Sequence, residues 1–200
     1  MPFTIERYAV WKKRCRNGQT KAHVTILKKC GLYWLIAVLL MGSSSVLTVG
    51  SATAQRPAPA EQLVGTWRLI LVDNILPDGT RIHLYGPNPE GILMFDAENC
   101  YALQIYRAER DKFVANDKSK GTPEENSAAV LGSNAHFGQY SIDPNGGAIT
   151  FRIERASFPN WDGTEQRRTF TISGDELTYS VPTPTSGGSA IGEVKWKRVR

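Results

Sequence analysis

Residues 136–154 read HFGQYSI-DPNGG-AITFRIE, and their pattern decides the fold. Two runs rich in aromatic and β-branched residues flank Asp143-Pro144-Asn145-Gly146-Gly147, a cluster whose members favour the dihedrals of a tight reversal. Strand side chains alternate between faces. On that rule His136, Gly138, Tyr140 and Ile142 share one face of the first run. Ile149, Phe151 and Ile153 share one face of the second, and Arg155 follows them towards a rim. The segment predicts an antiparallel hairpin with one apolar side.

Working outward, the same signature recurs from Leu63 to the end of the chain. Gly65–Asp73, Arg81–Tyr85, Gly91–Phe95 and Tyr101–Tyr106 precede the hairpin; Glu165–Ile172, Leu177–Val181 and Val194–Val199 follow it. Turn chemistry separates them: Pro77-Asp78-Gly79, Asp96-Ala97-Glu98-Asn99 and Ser173-Gly174-Asp175. Roughly eight to ten short strands joined by hairpins, with little helix, predict an all-β domain, a sandwich or a closed antiparallel up-and-down barrel. A barrel of that strand number encloses room for one small ligand. One helix interrupts the strands. Thr122-Pro123-Glu124-Glu125 supplies an N-cap, a proline at the first helical position and a glutamate that closes a capping box. Ala128, Ala129, Val130 and Leu131 form its apolar side, and Gly132 stops it. This helix is read as a plug on one end of the barrel, with a lid over a ligand mouth as the alternative; Asp111–Lys120 before it is a charged connection.

The first 54 residues have a different character. Lys28 and Lys29 precede the apolar run LYWLIAVLL (Leu32–Leu40), then come Ser43, Ser44 and Ser45, and Ala52-Thr53-Ala54 ends the segment. Basic, apolar and small-x-small parts in that order are those of a secretory signal peptide. With Val46–Val49 added, the apolar stretch approaches the roughly 20 residues that span a bilayer, so an uncleaved membrane anchor is the alternative. Cys30 precedes the apolar run, which argues against a lipoprotein. Residues 55–62 read as a linker, extended because of its prolines, and residues 63–200 as the barrel domain. The expected location is the periplasm or the exterior.

Charge follows the same division. The chain carries +5 in all, but eight basic residues and a single acid precede Gln55. Sixteen basic and eighteen acidic groups remain beyond it, a net −2. The domain therefore lacks the basic face that nucleic acid demands. Cys15 and Cys30 lie in the leader, so Cys100 is expected to be an unpaired structural thiol.

The ordered motifs Leu63-Val64-Gly65-Thr66-Trp67, Pro89-Glu90-Gly91-Ile92-Leu93, Phe137-Gly138-Gln139-Tyr140, Phe158-Pro159-Asn160-Trp161 with Gly163 and Gln166, Arg168, Gly174-Asp175-Glu176-Leu177 and Trp196-Lys197-Arg198 resemble the lipocalin-like domain family of small bacterial and fungal proteins. The resemblance covers nearly all of residues 63–198. It implies a lipocalin-like β-barrel and small-molecule binding, without naming a reaction. Gly65-x-Trp67 is also similar to the signature of true lipocalins, in which the tryptophan plugs the closed end and an arginine of the last strand lies across it. Trp67, Arg198 and Gly65 are accordingly structural; a cation over an indole contributes roughly 0.5–2 kcal/mol. Many members carry histidines where this chain has Phe151 and Arg152, which puts any chemistry of those histidines in doubt here.

Candidate ligand-binding residues come from the inward faces: Arg168, Tyr140, His136, Gln166 and Phe151, with Trp161 in a rim loop. Apolar walls with a few polar groups suit a small molecule. Arg168 is the expected anchor for a carboxylate or other anion, since a guanidinium grips two oxygens; a buried arginine satisfied by its neighbours is the alternative. No nucleophile elbow, phosphate loop or metal-ligand spacing is present, so no catalytic residue, metal or cofactor is expected. The leading expectation is an exported carrier or sensor of a small hydrophobic or amphipathic molecule. Its partners then include no nucleic acid, and a membrane only through an uncleaved N-terminal segment. A cyclase, isomerase or hydrolase using His136 or Tyr140 is the second reading, and it gains if these groups converge in one pocket with displaced pKa values. An envelope protein-interaction module is the third.

Overall fold

The computed structural model describes residues 59–184 and 188–200. The leader read at residues 1–54 and the linker residues 55–58 lie outside the described residues. Nine strands follow a short helix, α1 (Pro59–Leu63): β1 (Gly65–Ile75), β2 (Arg81–His83), β3 (Glu90–Phe95), β4 (Cys100–Tyr106), β5 (Ser133–Ile142), β6 (Ala148–Ala156), β7 (Glu165–Ser173), β8 (Glu176–Val181) and β9 (Ile191–Arg198). A second helix, α2 (Pro123–Leu131), stands between β4 and β5. All nine expected strands are present, most with ends extended by a residue or two. Among the described residues no helix is long and apolar enough to cross a membrane.

The strands pair antiparallel in chain order, and β9 returns to β1 from Trp67↔Arg198 to Ile75↔Ile191. That pairing closes an eight-stranded barrel of β1 and β3–β9. Strand β2 lies outside the ring. It takes β3's place beside the last residues of β1, with Asp73 opposite His83 and Ile75 opposite Arg81. Side chains clamp it there. Buried Asp73 accepts a hydrogen bond from Arg81 Nη1 at 3.1 Å and meets His83 Nδ1 at 2.7 Å, and the same arginine nitrogen reaches Glu193 Oε1 at 2.8 Å. The residues after β2 thereby come over one end of the barrel, tied by Leu84 N–H to the Val72 carbonyl at 3.1 Å.

The opposite end is sealed. Trp67 is fully buried, and its indole N–H donates to the Leu63 carbonyl at 2.9 Å. The Arg198 guanidinium lies 4.0 Å from the Trp67 ring centroid and donates to the carbonyls of Val64, at 2.9 Å, and Gln62. One arginine thus covers the indole and ties α1 to the last strand. Gly65 is required beside it: its φ is +132°, and a Cβ there would sit 2.9 Å from Arg198 Nη1. The expected extended linker is corrected at this point, because Pro59–Leu63 is a helical turn. Proline at the first helical position gives up an N–H that has no helical partner anyway, and burial of Leu63 with the carbonyl contacts holds the turn in place.

The barrel is filled rather than hollow. Trp67, Leu93, Phe95, Tyr101, Leu103, Phe151, Leu177, Tyr179 and Trp196 are all buried inside it. Their rings meet edge to face, Phe95 on Tyr140 at 4.7 Å and Tyr101 on Phe151 at 4.8 Å between centroids. Eight strands leave an interior just wide enough for side chains to fill, and this sequence places large rings at the inward positions.

Three further expectations are corrected. Arg155 is exposed instead of following Ile153 inward. The β5–β6 register steps from Gly138↔Ile153 to Phe137↔Arg155, so Glu154 is an extra residue and the alternation reverses beyond it. The bulge needs Gly138, where a Cβ would lie 2.1 Å from the Arg152 carbonyl oxygen. Helix α2 forms with the expected capping box, Thr122 and Glu125 exchanging hydrogen bonds, but none of its residues is buried and Val130 and Leu131 face solvent; it plugs nothing. Cys100 is disulfide-bonded. The expectation of an unpaired thiol is thereby corrected.

Candidate functional site

The room left inside the barrel is a cavity of about 50 Å³ at the end away from Trp67. Its walls come from strands whose ends gather there: Val72 and Asn74 of β1, Leu103 and Ile105 of β4, Asn134 and His136 of β5, Arg168 of β7, Tyr179 and Val181 of β8, and Val194 of β9. Leu84 and Tyr85 cross it from the segment after β2; Trp161 and Pro184 close the rim. Trp161 sits in a single 3₁₀ turn, Pro159–Trp161, and its ring meets that of His136 edge-on at 5.7 Å.

Arg168 is the centre of the site. It is 4% exposed, and its guanidinium carbon stands 4.8 Å from the Phe151 centroid and 5.0 Å from that of Tyr179. Nη2 donates to Gln166 Oε1 at 2.6 Å. Nε has no hydrogen-bond partner, and no ion pair among the described residues includes Arg168. A guanidinium keeps its charge in a protein. The site therefore holds a buried cation facing ring quadrupoles and one neutral amide, with no carboxylate of the described residues against it.

His136 stands beside it, 2% exposed, its Nδ1 2.9 Å from the Tyr101 hydroxyl and its Nε2 without a partner. Burial, and then the charge of Arg168, hold the imidazole pKa well below its ordinary value. Burial pushes Tyr101 upward, so the phenol keeps its proton. A phenol that donates to Nδ1 leaves the imidazole proton on Nε2. Tyr179 is also raised by burial, opposed by Arg168 and Trp196 nearby, yet neither closes a hydrogen bond on its hydroxyl. The Trp196 indole N–H is unpartnered too.

The six expected ligand-binding residues divide by depth. His136, Arg168 and Trp161 line the cavity. Phe151 lies beneath the guanidinium and Gln166 beside it. Tyr140 shares the inward face of β5 with His136 but is four residues, about 13 Å, nearer the sealed end. Its hydroxyl donates to the Asp96 carbonyl at 2.9 Å, and its pKa is pushed up to about 12 by burial and then by Asp96. Asn74, Asn134, Tyr85 and Tyr179 also line the site, although the sequence did not single them out. Alternation through Leu177, Tyr179 and Val181 marks Tyr179 as inward; nothing local marks Tyr85, which arrives with the flap. Among the described residues no group of three or more potential metal ligands gathers.

A family model described as the lipocalin-like domain matches residues 64–199. The chain belongs to that family. The match spans the whole lipocalin-like barrel, from the residue before Gly65 to the residue after Arg198. No curated protein matches the chain. Lipocalin-like barrels commonly bind small hydrophobic ligands, and in this lipocalin-like domain the cavity, the unpartnered atoms of His136, Arg168 and Tyr179 and the segment after β2 lie at the end away from Trp67.

Proposed function

We propose that this lipocalin-like protein binds a small amphipathic molecule at the unsealed end of its barrel, polar end inward, as an exported carrier or sensor. One observation carries the reading. A barrel stoppered by Trp67 and Arg198 has an interior cavity at the other end, beneath an apolar rim of Leu84, Tyr85, Trp161, Val181 and Pro184. A cavity of about 50 Å³ takes a head group; a water molecule occupies about 30 Å³ in the liquid. The body of the ligand lies among the rim residues. Export rests on the basic, apolar and small-x-small order of residues 28–54.

The test is native mass spectrometry of the full chain after equilibration with a lipid and metabolite extract. A discrete small-molecule adduct, lost when Trp161 and Tyr85 are both replaced by aspartate, is the expected result. Protein that stays ligand-free across extracts overturns the reading.

Acid–base catalysis on the same molecule is the second reading, favoured by the convergence of His136 and Tyr179 on one cavity with displaced pKa values. A histidine held far below neutrality is a weak base, so binding without turnover is expected. Conversion of the recovered adduct during incubation would reverse that order.

A further inference from the structure

The chemistry of the ligand's inner end follows from which groups lack partners. Four buried side-chain atoms among the described residues have none: His136 Nε2, Arg168 Nε, Tyr179 Oη and Trp196 Nε1. Arginine and indole nitrogens only donate. A protonated tyrosine donates, and His136 Nε2 carries the imidazole proton once Tyr101 donates to Nδ1. The three that belong to cavity-lining residues, those of His136, Arg168 and Tyr179, can therefore all donate, and that of Arg168 can do nothing else. Buried polar groups are satisfied in nearly every folded protein, and an isolated buried cation is costly. A set of unmatched donors around an unmatched positive charge is complementary to one kind of guest, a group made of acceptors with a negative charge.

Building on the proposed binding reading, we infer that the inner end of the ligand is a carboxylate, held by Arg168 with His136 and Tyr179 donating to its oxygens. Size selects among anions. A planar carboxylate fits the room beneath Trp161, whereas a tetrahedral sulfate or phosphate ester carries two further atoms into about 50 Å³, and a phosphate dianion meets only one cation. Gln166, by accepting from Nη2, fixes the guanidinium plane, and Nε is left without a partner.

Isothermal titration of the full-length protein at pH 7.5 with octanoate, octan-1-ol, octylamine and octyl sulfate tests this. Octanoate is expected to bind at least tenfold more tightly than the alcohol, octyl sulfate more weakly than octanoate, and the amine least. In Arg168→Met the preference for acid over alcohol collapses to within about twofold while alcohol binding persists, which also shows that the variant is folded. Tyr179→Phe lowers octanoate affinity severalfold and alcohol affinity by less. Equal binding of acid and alcohol by the native protein, or tighter binding of the amine or the sulfate, overturns the carboxylate site while leaving the container standing. Failure of all four probes to bind overturns both.

Discussion

Replacing Arg168 by methionine should stabilise the protein. The side chain is 96% removed from solvent and has no carboxylate partner among the described residues. Sequestering an ion costs several kcal/mol even after the surroundings relax. Against that cost stand two ring contacts, at 4.8 and 5.0 Å, each contributing about 0.5–2 kcal/mol, and one charged hydrogen bond to Gln166 of about 1.5–3 kcal/mol. At the lower ends of these ranges the contacts return about 2.5 kcal/mol, less than the cost of sequestering the ion. Methionine keeps the packing between Phe151 and Tyr179 and discards the desolvation, so the net change is a gain of about 1–2 kcal/mol, within the range for exchanging buried ionic groups for apolar ones. Gln166 is half-buried and reaches water once its donor is gone. Urea denaturation monitored by near-ultraviolet circular dichroism gives the difference, and Tm should rise by about 3–6 °C. An arginine that anchors the fold behaves oppositely, since removing one member of a buried network costs about 3–5 kcal/mol. A loss of more than about 2 kcal/mol in Arg168→Met would refute the claim that this charge is kept for a guest at the expense of stability.

Arg198→Ala should cost about 2–4 kcal/mol in urea, because it strips the cation from Trp67 and leaves the Gln62 and Val64 carbonyls without their donor; Arg198→Lys should recover only part of this. Gly138→Ala should cost about 3 kcal/mol or prevent folding, since the new methyl meets the Arg152 carbonyl of the neighbouring strand; Gly147→Ala, with open space around it, is the control and should change little. Stability should fall as pH drops below about 6.5, by about 1.4 kcal/mol per unit, because the unfolded chain protonates His136 and the native barrel does not. His136→Gln, which retains a partner for Tyr101, should flatten the profile down to about pH 5, above the range where Asp78, Asp117, Asp143 and Glu125 lose protons.

The barrel was legible in the sequence because its signals are local. Turn clusters such as Asp143–Gly147 and the two-residue alternation through Ile149, Phe151 and Ile153 set strand positions within a residue or two, and Gly65, Trp67 and Arg198 marked the sealed end. What escaped depended on contacts between distant segments. The bulge that turns Arg155 outward is set by Gly138 on the neighbouring strand. The helical turn at Pro59–Leu63 is held by Trp67 and Arg198, against a proline pattern that favours extension. Arg168 could be placed inward by alternation with Phe170, but whether a carboxylate faced it depended on side chains from β4, β5, β6 and β8. Nor does strand count reveal whether rings fill a barrel: the sequence suggested a container, and the folded chain leaves room for a head group alone.

The most direct test of the central claim is a ¹⁵N nuclear magnetic resonance titration of the side-chain N–H groups with octanoate. Binding at the unsealed end predicts that the Arg168 Nε–H and His136 Nε2–H resonances move downfield together and saturate at one equivalent, while the Trp67 indole N–H, bonded to Leu63 at the sealed end, stays fixed. Saturable binding that leaves the Arg168 and His136 resonances unmoved would contradict the account, because the acid would then sit somewhere other than against the buried guanidinium.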